Sequence, residues 1–110
     1  MGLRQEKLAD EVRDILAECF SGERLRDPRV QSVTITHVKL TKDLQIATVY
    51  YRMYEGANQQ ELEQGLESCK GFLRKTLADV LKVRRVPDLR FVYDESVEYG
   101  SRIEYLLTKI

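Results

Sequence analysis

The sequence predicts an α+β domain of two layers, with three strands forming a sheet and helices covering one of its faces. Three observations carry this expectation. Residues 3–20 repeat apolar side chains at helical spacing, residues 30–54 are rich in β-branched residues around a turn, and residues 62–81 return to helical spacing before the short apolar run LRFVY. Elements in this order bury their apolar faces best as one sheet with helices against it. At 110 residues the chain is expected to form a single domain, 1–110, with one modest core.

In the first helix Leu8, Val12, Ile15, Leu16, Cys19 and Phe20 share a face, leaving Arg13, Asp14 and Glu18 outward. Gly22 is a natural stop. Pro28 in LRDPRV prevents a helix from resuming, because the residue before a proline, Asp27, is pushed to extended geometry. Arg24, Arg26 and Arg29 alternate here with Glu23 and Asp27, so a solvated loop is the simpler reading of those residues alone.

VQSVTITHVKL and QIATVYYRMY read as two strands joined by the turn residues TKDL. Strict alternation places Val33, Ile35 and His37 on one face, with Thr34, Thr36, Val38 and Leu40 on the other. In the second strand Ala47, Val49, Tyr51 and Met53 oppose Ile46, Thr48, Tyr50, Arg52 and Tyr54. One face is expected to meet helices and the other to be at least half wet. Tyr50, Tyr51 and Tyr54 could stack on bases, as sheet aromatics do in some RNA binders. The aromatic pattern of that class is missing, and amphipathic cover for the core is the simpler reading.

Asn58 is placed to cap the next helix, with Glu61 completing a capping-box pair. Leu62, Leu66, Cys69, Leu73, Leu77, Val80 and Leu81 form its apolar stripe. Gly65 and Gly71 lie within it, and an interruption at Gly71 is expected to divide the segment into two consecutive helices. Lys70 and Arg74 are one turn apart and share a face, with Lys75 beside them. Pro87 ends the helical stretch near residues 82–83, Arg84 and Arg85 follow in a loop, and a third strand comes next. Asp94 or Ser96 can cap a short last helix carrying Val97, Ile103, Leu106, Leu107 and Ile110.

Composition excludes several classes. Hydrophobic residues make up 43% and charged residues 33%, as in a soluble globular domain with a heavily charged surface. No apolar run approaches the ~20 residues of a membrane span, and MGLRQEKLADEV lacks the apolar core of a secretory signal. The cytoplasm is the expected location. Cys19 and Cys69 occupy apolar helical positions and are expected as reduced core residues. With one histidine and no CxxC pair, a zinc site would lack ligands, and no metal or other cofactor is expected. His37 has no acid or nucleophile near it in sequence, and no GxSxG, P-loop or HExxH occurs, so no catalytic residues and no enzyme are expected.

Charge supplies the positive clue. The net charge is zero, which argues against a generic polyanion binder, yet residues 70–90 carry seven Lys and Arg against two Asp and Glu. Residues 55–68 carry four Glu and no base. Such an arrangement can focus a field on one face of a neutral protein. Two consecutive helices between the second and third strands also suggest a KH domain, in which a GxxG turn between helices lets backbone approach RNA phosphates. Here the corresponding Ser68-Cys69-Lys70-Gly71 holds one glycine, so that clamp is incomplete.

Five stretches carry a closer likeness: LRDPRV (25–30), VTITHVKLTKDLQIATVYY (33–51), GFLRKTL (71–77), VRRVPDLRFVYDES (83–96) and RIEYLL (102–107). In order and over nearly the whole chain, they resemble the ribosome-binding factor A family of bacterial small-subunit assembly factors. The resemblance implies a type II KH-like fold, α-β-β-α-kink-α-β with a short C-terminal helix, in which an Ala-x-Gly kink replaces GxxG. Cys69-Lys70-Gly71 matches that kink, with Cys69 in place of the family's alanine. It implies association with the immature small ribosomal subunit, contact with its ribosomal RNA, help in late rRNA processing, and importance for growth in the cold. Many members carry a charged C-terminal extension; this sequence ends at Ile110, and no role of that extension is carried over.

The expected RNA-binding residues are Lys70, Arg74, Lys75, Lys82, Arg84, Arg85 and Arg90, with Arg26, Arg29 and Lys42 as secondary candidates. Expected partners are the small subunit, its rRNA and further assembly factors, with the free protein a monomer. The alternative is a protein-interaction module that docks on ribosomal proteins or an assembly GTPase through the acidic residues 55–67 and an exposed sheet edge.

Overall fold

The computed structural model describes residues 2–22, 25–54 and 56–95. Two α-helices, α1 (Gly2–Ser21) and α2 (Gln59–Leu81), cover one face of a sheet formed by β1 (Thr34–Leu40), β2 (Ile46–Arg52) and β3 (Asp88–Tyr93). A single 3-10 turn, Pro28–Val30, joins α1 to β1. The α+β class is the one the sequence predicts, and the elements follow the expected order except between β2 and β3, where one helix stands in place of two. The expected last helix lies outside the described residues.

The strand order is β1-β2-β3, with β1 antiparallel and β3 parallel to β2. β2 is therefore central, and it alternates cleanly. Ala47, Val49 and Tyr51 are buried under the helices, while Ile46, Thr48, Tyr50 and Arg52 are half-buried on the other face. Leu89 of β3, Val12 and Leu16 of α1, and Leu62, Leu66, Leu73 and Leu77 of α2 complete the core. Burial pushes the Tyr51 hydroxyl above the ordinary phenol range, and the nearby Glu63 carboxylate adds to it. Cys19 and Cys69 are buried in the same core and are not joined in a disulfide.

β1 departs from strict alternation. Its register to β2 shifts between Ile35, which faces Tyr51, and His37, which faces Tyr50. Thr36 is the extra residue of a β-bulge, and such an insertion reverses the phase of every later side chain. Val33, Ile35, Val38 and Leu40 are consequently all buried, and Thr34, His37 and Lys39 are exposed. His37 does not share a face with Val33 and Ile35, and Val38 and Leu40 do not share one with Thr34. The bulge is held by hydrogen bonds. Thr36 Oγ1 donates to Asp94 Oδ2 (2.6 Å) and lies 3.3 Å from the Tyr50 carbonyl, while Arg52 Nη1 donates to the Asp94 carbonyl (3.3 Å).

The second correction concerns α2. It runs as one helix of 23 residues through Gly71, not as two helices broken there. Asn58 Oδ1 caps it by accepting from the Glu61 amide (3.1 Å), as expected, and Lys82 ends it in left-handed geometry (φ 55°). Gly71 is exposed, and a Cβ there would meet nothing within 4 Å. Gly65 is the glycine with a neighbour. A Cβ at that position would lie 2.9 Å from Arg29 Cβ and 2.9 Å from Val30 Cγ1, so its absence lets the 3-10 turn press directly on α2. Val80, expected in the apolar stripe, is exposed.

The two glycines should thus respond oppositely to alanine. Gly65→Ala forces the turn away from the helix and should destabilise by roughly 1–3 kcal/mol, more than helix propensity returns. Gly71→Ala should stabilise by about 0.5–1 kcal/mol. Urea unfolding measures both, and a Gly65 variant as stable as wild type would contradict the close packing.

Candidate nucleic-acid interface

The basic residues between positions 70 and 90 do not form one face. Helical geometry and local pairing disperse them. Lys70 is half-buried and its Nζ lies 2.8 Å from Glu67 Oε1, so its charge is compensated within α2. Lys75 is exposed on the same helix, and Lys82 is exposed at its left-handed end. Arg90 points from the sheet face away from the helices, with its Nε 3.9 Å from the Asp88 carboxylate.

Three of the seven do converge. Arg74, from the last turns of α2, and Arg84 and Arg85, from the loop that follows, line one open groove of about 530 Å3. Its remaining walls are Asp43, Leu44 and Gln45 of the β1–β2 turn together with Val86 and Asp88. Arg74 Nη2 donates to the Val86 carbonyl (3.3 Å), which fixes the guanidinium against the loop. The turn is equally fixed. Asp43 Oδ1 accepts from Thr41 Oγ1 (2.6 Å) and from the Gln45 amide (3.1 Å), Thr41 Oγ1 accepts from the Ile46 amide (3.1 Å), and Leu44 adopts φ 60°. Those bonds hold the Asp43 carboxyl below its ordinary range, with the Thr41 hydroxyl contributing most. Both carboxylates in the groove are thus engaged, Asp43 by its own turn and Asp88 by Arg90. Lys42 sits on that same turn, beside the groove wall.

The other two secondary candidates lie elsewhere. Arg26 borders a separate hollow with Ser21, Gly22, Leu25 and Gln31. Arg29 is not a free cation in a solvated loop. Its Nε and Nη2 donate to the Asp27 carboxylate (3.0 and 2.7 Å), its backbone amide donates to Asp27 Oδ1 (2.9 Å), and Nη2 lies 3.3 Å from Ser68 Oγ. Asp27 is held below the ordinary carboxyl range chiefly by the Arg29 side chain, and Arg29 is raised by the same bond. The DPR motif builds a clamp on α2 beside Gly65.

Among the described residues no group of three or more His, Cys, Asp or Glu side chains could hold a metal ion. No helix among them is long and apolar enough to cross a membrane. The chemistry the groove offers is that of three arginines, Arg74 held to the loop and Arg84 and Arg85 exposed beside it, which suits oxyanions such as phosphate.

The family model for ribosome-binding factor A matches residues 4–107. The chain belongs to the ribosome-binding factor A family. It is 45% identical over 108 residues to ribosome-binding factor A of Geotalea uraniireducens, covering 97% of this chain and 88% of that one. The crystal structure of ribosome-binding factor A from Thermus thermophilus superposes with a TM-score of 0.74 at 26% identity, over 84% of this chain and 97% of that one. A Thermus thermophilus homology model fitted into the cryo-EM map of a 30S–ribosome-binding factor A complex gives a TM-score of 0.69 at 26% identity, over 83% and 96% of the two chains. The α+β fold described above is the KH-like fold of ribosome-binding factor A structures.

The Asp27–Arg29 pair sets a pH dependence. Because the folded carboxyl titrates below its unfolded value, the pair contributes stability at pH values above the ordinary carboxyl range near 4 and loses it as pH falls through the lower folded value. Asp27→Asn should therefore be less stable at neutral pH and show a shallower further loss on acidification. Identical acid profiles for variant and wild type would contradict the pairing.

Proposed function

We propose that this protein docks on the immature small ribosomal subunit, sets the Arg74–Arg84–Arg85 groove against ribosomal RNA phosphates, and assists late rRNA processing and maturation without catalysing a reaction. The observation that carries the proposal is that those three arginines line one groove with the hydrogen-bonded β1–β2 turn. Membership of the ribosome-binding factor A family supports it, as does the relative that was fitted into a 30S complex. Lys42 on the adjoining turn and Lys82 at the end of α2 add exposed positive charge, whereas Lys70, Arg29 and Arg90 are already paired with carboxylates.

The mechanism is selective binding. Phosphate contacts supply affinity, and the RNA shape that fits the groove supplies selectivity. Bound protein favours one conformation of the immature RNA and is displaced when mature contacts or another factor compete. Alternative RNA pairings persist longest in the cold, which accounts for a role in cold growth, and the cytoplasm is where immature subunits are met.

One observation favours a second reading. A groove of about 480 Å3 beside the edge strand β3 is lined by Gln60, Glu63, Gln64, Leu66, Glu67 and Phe91, and it suits an extended basic segment of a ribosomal protein or an assembly GTPase.

Replacing Arg74, Arg84 and Arg85 together by glutamine tests the first reading. Affinity for small subunits and for naked rRNA should both fall, and the slope of log affinity against log salt should flatten by about 2 for three lost charges. Unchanged affinity and slope in a folded variant would remove the groove from the mechanism. Loss on Glu63→Gln with Glu67→Gln, confined to intact subunits, would favour the protein-docking reading.

A further inference from the structure

The sheet face opposite the helices is uncovered among the described residues, and its side chains fall in cross-strand rows. Lys39, Thr48 and Arg90 form one row, and His37, Tyr50 and Val92 form the next. Neighbouring rows are about 7 Å apart along the strands. Arg52 closes the far side, its guanidinium anchored to the Asp94 carbonyl.

The middle row owes its make-up to the bulge. Without the bulge, regular pairing onward from Ile35 and Tyr51 would set Thr36 against Tyr50. The bulge sets His37 there instead, and the two rings stack at 6.0 Å between centroids with 28° between planes. His37 is exposed, Tyr50 half-buried, and Val92, on the other side of Tyr50, is 43% exposed. A solvated sheet face does not need a stacked ring pair continued by an exposed valine. The row of Lys39 and Arg90 lies between this platform and the groove, because Asp88 lines the groove and shares Arg90's face of β3.

We propose that the sheet face is a binding platform for single-stranded RNA, on which one unpaired base extends the His37–Tyr50 stack while neighbouring phosphates meet Lys39 and Arg90. This rests on the groove reading and deepens it, since the strand held at Arg84 and Arg85 continues onto the sheet. Charge and rings agree on the ligand. Cations beside a flat apolar surface match a phosphate backbone beside a base, and only an unpaired base can present its face. Tyr51 and Tyr54 take no part, because Tyr51 is buried in the core and Tyr54 lies beyond the end of β2.

The probe is a short single-stranded RNA carrying 2-aminopurine, whose emission falls when it stacks, with the same sequence annealed to its complement as control. The full chain should quench the single strand and not the duplex. Tyr50→Ala should weaken single-strand binding roughly 5- to 150-fold, the range for loss of a base-stacking ring, and Tyr50→Phe should restore it. His37→Ala, at an exposed position that leaves the core intact, should also abolish quenching and decides the matter if Tyr50→Ala fails to fold. The proposal is overturned if the wild type gives no quenching, if Tyr50→Phe binds as weakly as Tyr50→Ala, or if both ring variants bind RNA like wild type. In that last case, continued loss on replacing Arg84 and Arg85 would leave the groove reading standing, and no loss would remove both. If the ring variants lose intact subunits but keep naked RNA, a protein occupies this face and the platform is overturned.

Discussion

The hydrogen bond from the Asp88 amide to the Gln45 carbonyl (2.8 Å) marks the constraint on which the rest depends, the parallel pairing of β3 with β2. Parallel neighbours cannot be joined by a tight turn, so a crossover must carry the chain back to the end of the sheet where β2 began. α2 is that crossover. Since β2 begins at the β1–β2 turn, the loop leaving α2 must arrive beside the same turn, as the Ile46–Asp88 register shows. Arg84 and Arg85 therefore meet residues 43–45 by topology, and Arg74 joins them from the end of the helix.

The same constraint explains the packing of α2. Its 23 residues span about 35 Å, whereas the seven residues of β2 span about 23 Å. The helix is longer than the strand, and its buried stripe runs from Leu62 through Leu66, Cys69 and Leu73 to Leu77, with Leu81 packed on the core, while Val80 is exposed off that stripe. Its position is fixed at Gly65, where the missing Cβ admits Arg29 and Val30 of the 3-10 turn. The Asp27–Arg29 clamp holds that turn in shape. Among the described residues no helix packs on the far face of the sheet, where β2's alternate residues are half-buried.

Much of this is legible in the sequence, and the failures have identifiable causes. The helix and strand periods, the Asn58 cap and the buried cysteines follow from local pattern. The bulge does not, because an extra residue in a strand leaves only alternation to read, and alternation puts His37 on the wrong face. Gly71 and Gly65 look alike in a helical stripe; what distinguishes them is a turn more than thirty residues away that presses on Gly65 alone. The seven cations of residues 70–90 look like one patch because sequence proximity ignores helical phase and local partners. Lys70 is neutralised by Glu67 three residues earlier, a spacing that is readable as an ion pair. The part played by the β1–β2 turn in the groove depends on parallel register, which pairwise sequence patterns do not reveal. The DPR motif is visible in the sequence, but its closed ion pair is not.

The central claim is that the groove end of the molecule faces ribosomal RNA. Directed hydroxyl-radical cleavage tests it most directly, since Cys19 and Cys69 are buried and leave an introduced surface thiol as the point of attachment. An iron chelate tethered at Leu44→Cys, on the lip of the groove, should cut small-subunit RNA strongly at a confined set of nucleotides. The same chelate at Glu11→Cys, on the exposed side of α1, should cut it weakly. Strong cleavage from position 11 with none from position 44 would contradict the account.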